Sequence, residues 1–252
     1  MDKIKSTLEL SLALARAQFK ERNEGSYLGI LWYLLGPFLM FLLLLLVFSD
    51  RVGTNIPRYP LYLLLGIIMF NFFQKATSES TKVISINRWI IKSINFPRES
   101  LISSIVLATL FSHIFEIVLF IVFALFFKVS PAGLIFYPLI LIFFCIFVYG
   151  ASLILATLNV YFVDLDNIWT FVSRLIWLGT PIFYTIGGQT RLFYVSLFNP
   201  MYYFITITRD IIVYTRIPEI WMIIGAVIYS LLFLFIGLLI FNKLKIKFAE
   251  LI

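Results

Sequence analysis

The run Leu28–Phe48, LGILWYLLGPFLMFLLLLLVF, decides the class of fold, because none of its 21 residues carries a charge. At about 1.5 Å per residue, a helix of that length spans the roughly 30 Å hydrocarbon core of a bilayer. Gly36-Pro37 predicts a kink inside the run, and neighbouring helices must satisfy the backbone groups that the kink frees. The run therefore predicts a helix that crosses a membrane.

Apolar runs of this kind recur along the whole chain. Of its 252 residues, 62% are hydrophobic and 13% are charged, which is far from the composition of a soluble domain. We predict six transmembrane helices, over residues 28–48, 60–76, 101–127, 134–162, 168–186 and 220–241. The predicted fold class is all-α: a polytopic membrane protein forming a single transmembrane domain over residues 1–252.

Three segments outside these runs have their own patterns. Residues 1–25 place apolar positions at helical spacing with charges on the other faces, which predicts an amphipathic helix in the membrane interface; a core-facing or coiled-coil helix is the alternative. Residues 77–99 are charged around an apolar turn at Trp89, which predicts a short helix parallel to the membrane or docked on a partner. Residues 187–219 contain two apolar pieces too short to cross, which predicts a re-entrant or surface helical hairpin on the external side.

Basic residues predict the orientation of the chain. With the N-terminus inside, the cytoplasmic segments hold thirteen basic side chains and the external segments six, so both termini are expected in the cytoplasm. Six spans satisfy the even number that this requires. The net charge of +7 then reflects cytoplasmic loops, and nucleic acid is not expected as a partner. The thirteen are Lys3, Lys5, Arg16, Lys20, Arg22, Lys75, Lys82, Arg88, Lys92, Arg98, Lys243, Lys245 and Lys247, and the six are Arg51, Arg58, Lys128, Arg191, Arg209 and Arg216.

The sequence lacks the residues for several kinds of chemistry. It contains no GxxxxGK[ST] phosphate loop, so the chain is not expected to hydrolyse ATP. One histidine and one cysteine exclude an HExxH site, a multi-histidine metal centre and a disulfide framework. We predict no catalytic residue and no metal site. Asp164-Leu165-Asp166 has the DxD pattern that holds a metal in glycosyltransferases, but a solvated loop or helix cap is favoured in so short a loop.

Ionisable residues inside the predicted spans are functional candidates, because charge is costly in lipid. His113 and Glu116 are three residues apart and share one helix face. We expect the two side chains to satisfy each other or a neighbouring helix, and a proton relay is the alternative. Arg174 lies near the start of the fifth predicted span, where Asp164, Asp166 or a lipid phosphate is the expected partner.

Aromatic residues make up 18% of the chain, with 28 Phe, 13 Tyr and 5 Trp. For any single ring, membrane-interface belts or packing are the favoured roles. The excess as a class indicates a path for a sugar chain, whose apolar C–H faces stack on aromatic rings. The candidate path residues are Trp32, Tyr33, Phe70, Phe73, Phe183, Tyr184, Tyr202 and Tyr203.

Five motifs occur in an order that resembles a known family. They are Ser26-Tyr27-Leu28-Gly29-Ile30-Leu31-Trp32 leading to Pro37, Phe96-Pro97-Arg98-Glu99, Asn159-Val160-Tyr161-Phe162, Pro181-Ile182-Phe183-Tyr184 and Asn199-Pro200. Together they resemble type 2 ABC transporter permeases over essentially the whole chain, and most closely the bacterial branch that exports lipid-linked polysaccharide such as O-antigen, teichoic acid and capsule. One departure is Val163-Asp164, where relatives often have Arg-Asp. No role is therefore carried over for a basic residue there.

The resemblance implies a permease subunit of the bacterial inner membrane. It would form a homodimer, pair with two copies of an ATPase subunit and move lipid-linked polysaccharide out of the cytoplasm, surrounded by membrane lipids. The partner would bind ATP and magnesium, and this chain would bind no cofactor. Residues 77–99 would be the cytoplasmic coupling segment and residues 187–219 the external gate.

The resemblance also implies residue roles. Asn87, Arg88, Trp89 and Lys92 would contact the ATPase, with attachment to anionic lipid headgroups as the alternative. Arg16, Lys20 and Arg22, with Arg174, are candidates for contact with a substrate pyrophosphate or a lipid headgroup. Three other functions stay open: export of a drug or lipid by the same fold, a membrane enzyme resembling a glycosyltransferase, and a non-transporting assembly or anchoring protein.

Overall fold

The computed structural model describes residues 2–24, 29, 31–94, 96–187 and 189–251. Helices occupy most of these ranges, and no strand occurs within them. The α-helices are α1 (Asp2–Asn23), α2 (Leu31–Phe48), α3 (Tyr59–Ile86), α4 (Arg88–Ser93), α5 (Glu99–Phe126), α6 (Tyr137–Tyr161), α7 (Leu165–Gly179), α8 (Thr190–Leu197), α9 (Pro200–Thr208), α10 (Ile220–Leu244) and α11 (Phe248–Leu251). A π-helical turn, Arg209–Val213, continues α9.

Among the described residues, five helical stretches are long and apolar enough to cross a membrane. They are Leu31–Phe48, Tyr59–Ile86, Glu99–Phe126, Ala132–Tyr161 and Ile220–Lys247. The predicted class, an all-α polytopic membrane protein, is confirmed. The number six is not established, because α7 has 15 residues, about 22 Å at 1.5 Å per residue. The backbone leaves the helix at Thr180, and Pro181 follows, which disfavours helix at the preceding residue.

The first transmembrane helix begins at Leu31 in the described chain. Its predicted start at Leu28, and the motif residues Ser26, Tyr27 and Ile30, lie outside the described residues. Pro37 lies inside α2 and is buried. The kink expected there stays a prediction.

Helix α3 lies at the centre of the bundle, packed against α2, α5, α6 and α7. In its first half the side chains of Leu63, Leu64 and Leu65 are fully buried. The helix extends beyond residue 76, where the sequence analysis ended the span, and buried hydroxyls in its second half are satisfied by bonds to the preceding turn. Thr77 Oγ1, for example, donates to the carbonyl oxygen of Phe73 at 2.7 Å. Residues 77–86 of the predicted coupling segment therefore belong to α3, and the segment outside this helix begins at Asn87.

Helices α6 and α10 approach each other at the backbone. A Cβ at Gly237 would lie 2.6 Å from the carbonyl oxygen of Gly150, and a Cβ at Gly150 would collide with the backbone at Phe233. Such contact needs residues without side chains, as is common where membrane helices pack. These two glycines therefore allow α6 and α10 to pack in direct backbone contact.

Helix α1 packs along α5. Ala15 and Ser11 are buried, and Gln18 Nε2 donates to Ser104 Oγ at 3.2 Å. The N-terminal helix therefore docks on another helix of the same chain, which was the alternative in the sequence analysis. Its position in a membrane interface stays a prediction.

Candidate functional site

One face of α3 carries five polar side chains within a transmembrane stretch. Their spacing of i, i+3, i+4, i+7 and i+8 places them on a single stripe, and all are partly exposed while the neighbouring residues 72, 73, 76 and 77 are buried. Polar side chains that face lipid are costly, so the stripe needs a polar surrounding. The stripe consists of Asn71, Gln74, Lys75, Ser78 and Glu79.

Helices α2 and α5 complete a cavity in front of this stripe, which we call the polar cleft. Trp32, Tyr33, Gly36, Pro37 and Met40 of α2 form its second wall, and Glu116 of α5 forms its third. The cleft has a volume of about 530 Å³, which is within the range of small-molecule sites. Trp32 is 54% exposed, so much of its ring is free to contact a ligand.

The charges at the cleft have partners within the chain. Arg22 of α1 forms an ion pair with Glu79, although its buried Nη1 donates no hydrogen bond to any described residue. Lys75 Nζ lies 4.2 Å from the centre of the Tyr33 ring, a cation–π contact. Arg22, a candidate for pyrophosphate contact, is thus tied to a carboxylate.

Glu116 is held by a chain of buried hydrogen bonds. His113 Nδ1 lies 3.0 Å from Glu116 Oε2, and His113 Nε2 lies 2.5 Å from the hydroxyl of Tyr137 on α6. The predicted pair is therefore in direct contact. The sequence analysis missed Tyr137, since nothing in the spacing of two separate helices gives their relative depth.

A second polar cluster lies at the opposite end of α3. Arg209 is only 2% exposed and donates three hydrogen bonds to backbone carbonyl oxygens: Nε to Tyr62 at 3.0 Å, Nη1 to Pro181 at 2.6 Å and Nη2 to Ile182 at 2.8 Å. A Cβ at Gly66 would collide with Arg209 Nη2, so the glycine makes room for the guanidinium. The sequence analysis placed Arg209 among the external basic residues and missed this role.

Two tyrosines of α3 reinforce the same connection between α7 and α8. The Tyr62 hydroxyl lies 3.0 Å from the carbonyl oxygen of Pro181 and 2.7 Å from that of Tyr184. The Tyr59 hydroxyl donates to the carbonyl oxygen of Phe183 at 3.0 Å. We call Tyr59, Tyr62 and Arg209 the carbonyl clamp, because together they hold irregular backbone that would otherwise lack hydrogen bonds.

Asp210, next to the clamp, is paired on its other side. Arg216 Nε donates to Asp210 Oδ1 at 2.9 Å. Burial raises the pKa of the Asp210 carboxyl, while the hydrogen bond from Arg216 acts in the opposite direction. Arg209 is thus held mainly by carbonyl oxygens rather than by a carboxylate.

The structure separates the predicted path residues into groups. Trp32 and Tyr33 line the polar cleft. Among the described residues, the other six do not line one shared opening. The rings on α3 and α9 face the core, and Phe183 and Tyr184 belong to the connection between α7 and α8. Phe70, Phe73, Tyr202 and Tyr203 are buried, and Phe183 and Tyr184 are partly buried.

The predicted ATPase contacts lie on and beside α4. Ile91 is buried and anchors this short helix, whereas Trp89 is 72% exposed. Arg88 and Lys92 are also exposed, and Asn87 Nδ2 donates to the carbonyl oxygen of Val83 at 2.7 Å, at the end of α3. The helix therefore presents one aromatic and two basic side chains on a surface joined directly to α3.

The other basic candidates are on the surface. Arg16 and Arg174 are exposed, and Lys20 pairs with Glu24 at 3.2 Å. Asp166, an expected partner of Arg174, instead pairs with Lys82 at 2.8 Å and accepts from Thr81 Oγ1 at 3.1 Å.

The chain is similar to known transport proteins over nearly its whole length. The O-antigen export system permease protein RfbA of Myxococcus xanthus is 27% identical over 245 residues, covering 96% of this chain and 94% of the relative. Two Klebsiella pneumoniae proteins of the same name are each 28% identical and cover 97% of this chain and 95% of the relative. Residues 9–213 match the family described as ABC-2 type transporter. Because that match includes most of the chain, this multi-pass membrane protein belongs to the ABC-2 type transporter family.

Proposed function

We propose that this chain is the permease subunit of an ATP-driven exporter that moves lipid-linked polysaccharide, of the O-antigen kind, out of the cytoplasm across the inner membrane. The observation that carries the proposal is similarity over at least 96% of the chain to permeases named for O-antigen export. The cleft with its exposed tryptophan supports it, because sugars stack on aromatic rings.

The energy source is a separate ATPase subunit. The sequence contains no phosphate loop, so ATP and magnesium would be bound by the partner and no cofactor by this chain. We propose that two ATPase subunits act on a homodimer of the permease. Arg88, Trp89 and Lys92 would make the contact, since they are exposed on α4, with Asn87 at the junction to α3.

The proposed topology places both termini in the cytoplasm and residues 187–219 outside as the gate. This needs a sixth crossing besides the five long helices. Helix α7 would supply it together with the connection that follows, because the carbonyl clamp satisfies non-helical backbone at this depth. Arg16, Lys20 and Arg174, which are exposed, would contact a substrate pyrophosphate or lipid headgroups.

The test begins with purification of the tagged permease from native membranes in gentle detergent, followed by an ATPase assay of what co-purifies. We expect a stoichiometric ATPase subunit, and we expect deletion of the gene to abolish polysaccharide at the cell surface. An ATPase partner without loss of surface polysaccharide would indicate a drug or lipid exporter. Recovery of the permease alone would favour an enzyme or an anchor.

A further inference from the structure

We infer that the polar cleft is a binding site for an uncharged sugar unit of the exported molecule, and not for its phosphate groups. The inference rests on the proposed function, since it specifies which part of that substrate the cleft receives. Three independent features carry it: the chemistry of the α3 stripe, the charge of the cleft and the open space beside Gly36.

The stripe offers groups that suit hydroxyls. Asn71 and Gln74 carry amides that both donate and accept, and Ser78 adds a hydroxyl. Within the described chain, the structure gives the Asn71 and Gln74 side chains no hydrogen-bond partner. Polar groups of this kind at membrane depth gain most from a ligand that can both donate and accept hydrogen bonds, as a polyhydroxyl ligand does.

Glu116 is fixed so that part of its carboxylate faces the cleft. The side chain is nine-tenths buried, and Oε2 is taken by His113. Its other oxygen, Oε1, accepts no hydrogen bond from any described residue, and Glu116 lines the cleft. Tyr137 contacts the other ring nitrogen of His113. Tyr137 and His113 together position the Glu116 carboxylate, so that Oε1 can accept a hydrogen bond from the ligand.

The charge of the cleft disfavours a diphosphate. Glu79 is neutralised by Arg22, and the remaining charges are Lys75 and Glu116, which are opposite in sign. The cleft therefore carries no net positive charge to balance a diphosphate, whereas an uncharged sugar needs none. A sugar has hydroxyls that can bond to the carboxylates and amides of the cleft, and C–H groups that can stack on its aromatic ring.

Trp32 is the ring on which a sugar would stack. Tyr33 already contacts the Phe19 ring at 5.9 Å and Lys75 at 4.2 Å, while Trp32 is more than half exposed. Beside it, a Cβ at Gly36 would have no atom within 4 Å, so the wall is open there. The volume of about 530 Å³ is suited to a small ligand rather than to a folded polymer.

The test uses the full transporter in its own host cells. A photoreactive p-benzoylphenylalanine replaces Trp32, and Leu42, an exposed residue of α2 that does not line the cleft, serves as the matched control. After irradiation, the purified permease is oxidised with periodate and labelled with a hydrazide, which detects vicinal diols of any glycan. We expect a glycan-bearing adduct at position 32 and none at position 42.

Other outcomes overturn the inference in distinguishable ways. An adduct with the mass of a phospholipid would identify a lipid headgroup, including phosphatidylglycerol, whose terminal diol also reacts with periodate. Gene-dependent export without any glycan adduct at position 32 would refute the sugar site and leave the proposed function intact. If surface polysaccharide does not depend on the gene, the proposed function itself fails.

Substitution of a glycine in the cleft wall by a larger residue provides a second test. An added Cβ at Gly36 has no atom within 4 Å, so Gly36→Leu should place its side chain in the cleft without displacing the backbone. Co-purification of the ATPase should persist while surface polysaccharide is lost. Gly179→Leu is the matched control, because Gly179 also has no atom within 4 Å of an added Cβ and does not line the cleft. Equal export by the two variants would contradict the site.

Discussion

The guanidinium of Arg209 lies over the ring of Tyr62, with 3.3 Å between its Cζ and the ring centre, and donates to the carbonyl oxygen of the same residue. One buried cation therefore contacts α3 and the connection after α7 at the same time. Arg209 is surrounded by carbonyl oxygens and the Tyr62 ring instead of a carboxylate. Leaving a buried cation without such partners is strongly destabilising. Helix α3 begins at the clamp, continues to Ile86 and is followed directly by α4. A single helix therefore connects the clamp with the exposed surface of α4.

The first prediction concerns Arg209 itself. The planar guanidinium of Arg209 donates to three carbonyl oxygens. Arg209→Lys keeps the charge, but a single ammonium cannot reach all three, so at least one buried carbonyl oxygen loses its donor. We expect a loss of about 1–3 kcal/mol in the free energy of unfolding. Thermal unfolding of the purified complex measures it. Arg216→Lys is the control, since that side chain is 64% exposed; equal effects of both variants would refute the clamp.

The second prediction concerns the hydrogen bonds that hold Glu116. Tyr137→Phe removes the hydroxyl that lies 2.5 Å from His113 Nε2 and leaves that nitrogen buried without a partner. We expect a destabilisation of about 1–3 kcal/mol, measured by thermal unfolding in the same detergent. Tyr194→Phe is the control because Tyr194 is 62% exposed. If the two tyrosine variants unfold at the same temperature, His113 does not depend on Tyr137.

The third prediction separates contact with the partner from folding of α4. Trp89→Ala removes a ring that is 72% exposed, so membrane insertion should persist while ATP hydrolysis by the partner no longer drives export. Ile91→Ala should reduce both, because Ile91 is buried and anchors the helix. Quantifying permease in membranes, associated ATPase activity and surface polysaccharide for each variant tests this. Similar losses of all three in both variants would assign α4 a purely structural role.

Sequence patterns predict the transmembrane helices because length and absence of charge are local properties. They also predict the contact between His113 and Glu116, since three residues on a helix share one face. They do not predict the ion pair of Arg22 with Glu79 or the bond of Arg209 to Tyr62, which join residues 57 and 147 positions apart. Such contacts depend on how helices pack.

The last prediction tests the topology. Single cysteines replace Arg51, in the exposed connection between α2 and α3, and Ile217, which is 91% exposed between the π-helical turn and α10. Both should react with a membrane-impermeant maleimide in intact spheroplasts, because an even number of crossings with the N-terminus inside places both positions outside. A cysteine at Lys92, which is exposed on α4, should react only after lysis. Cys145 must first be replaced by Ser, since it is the natural thiol of the chain. Labelling at Arg51 but not at Ile217 would mean that α7 fails to cross, so that the gate segment and the C-terminus would change sides.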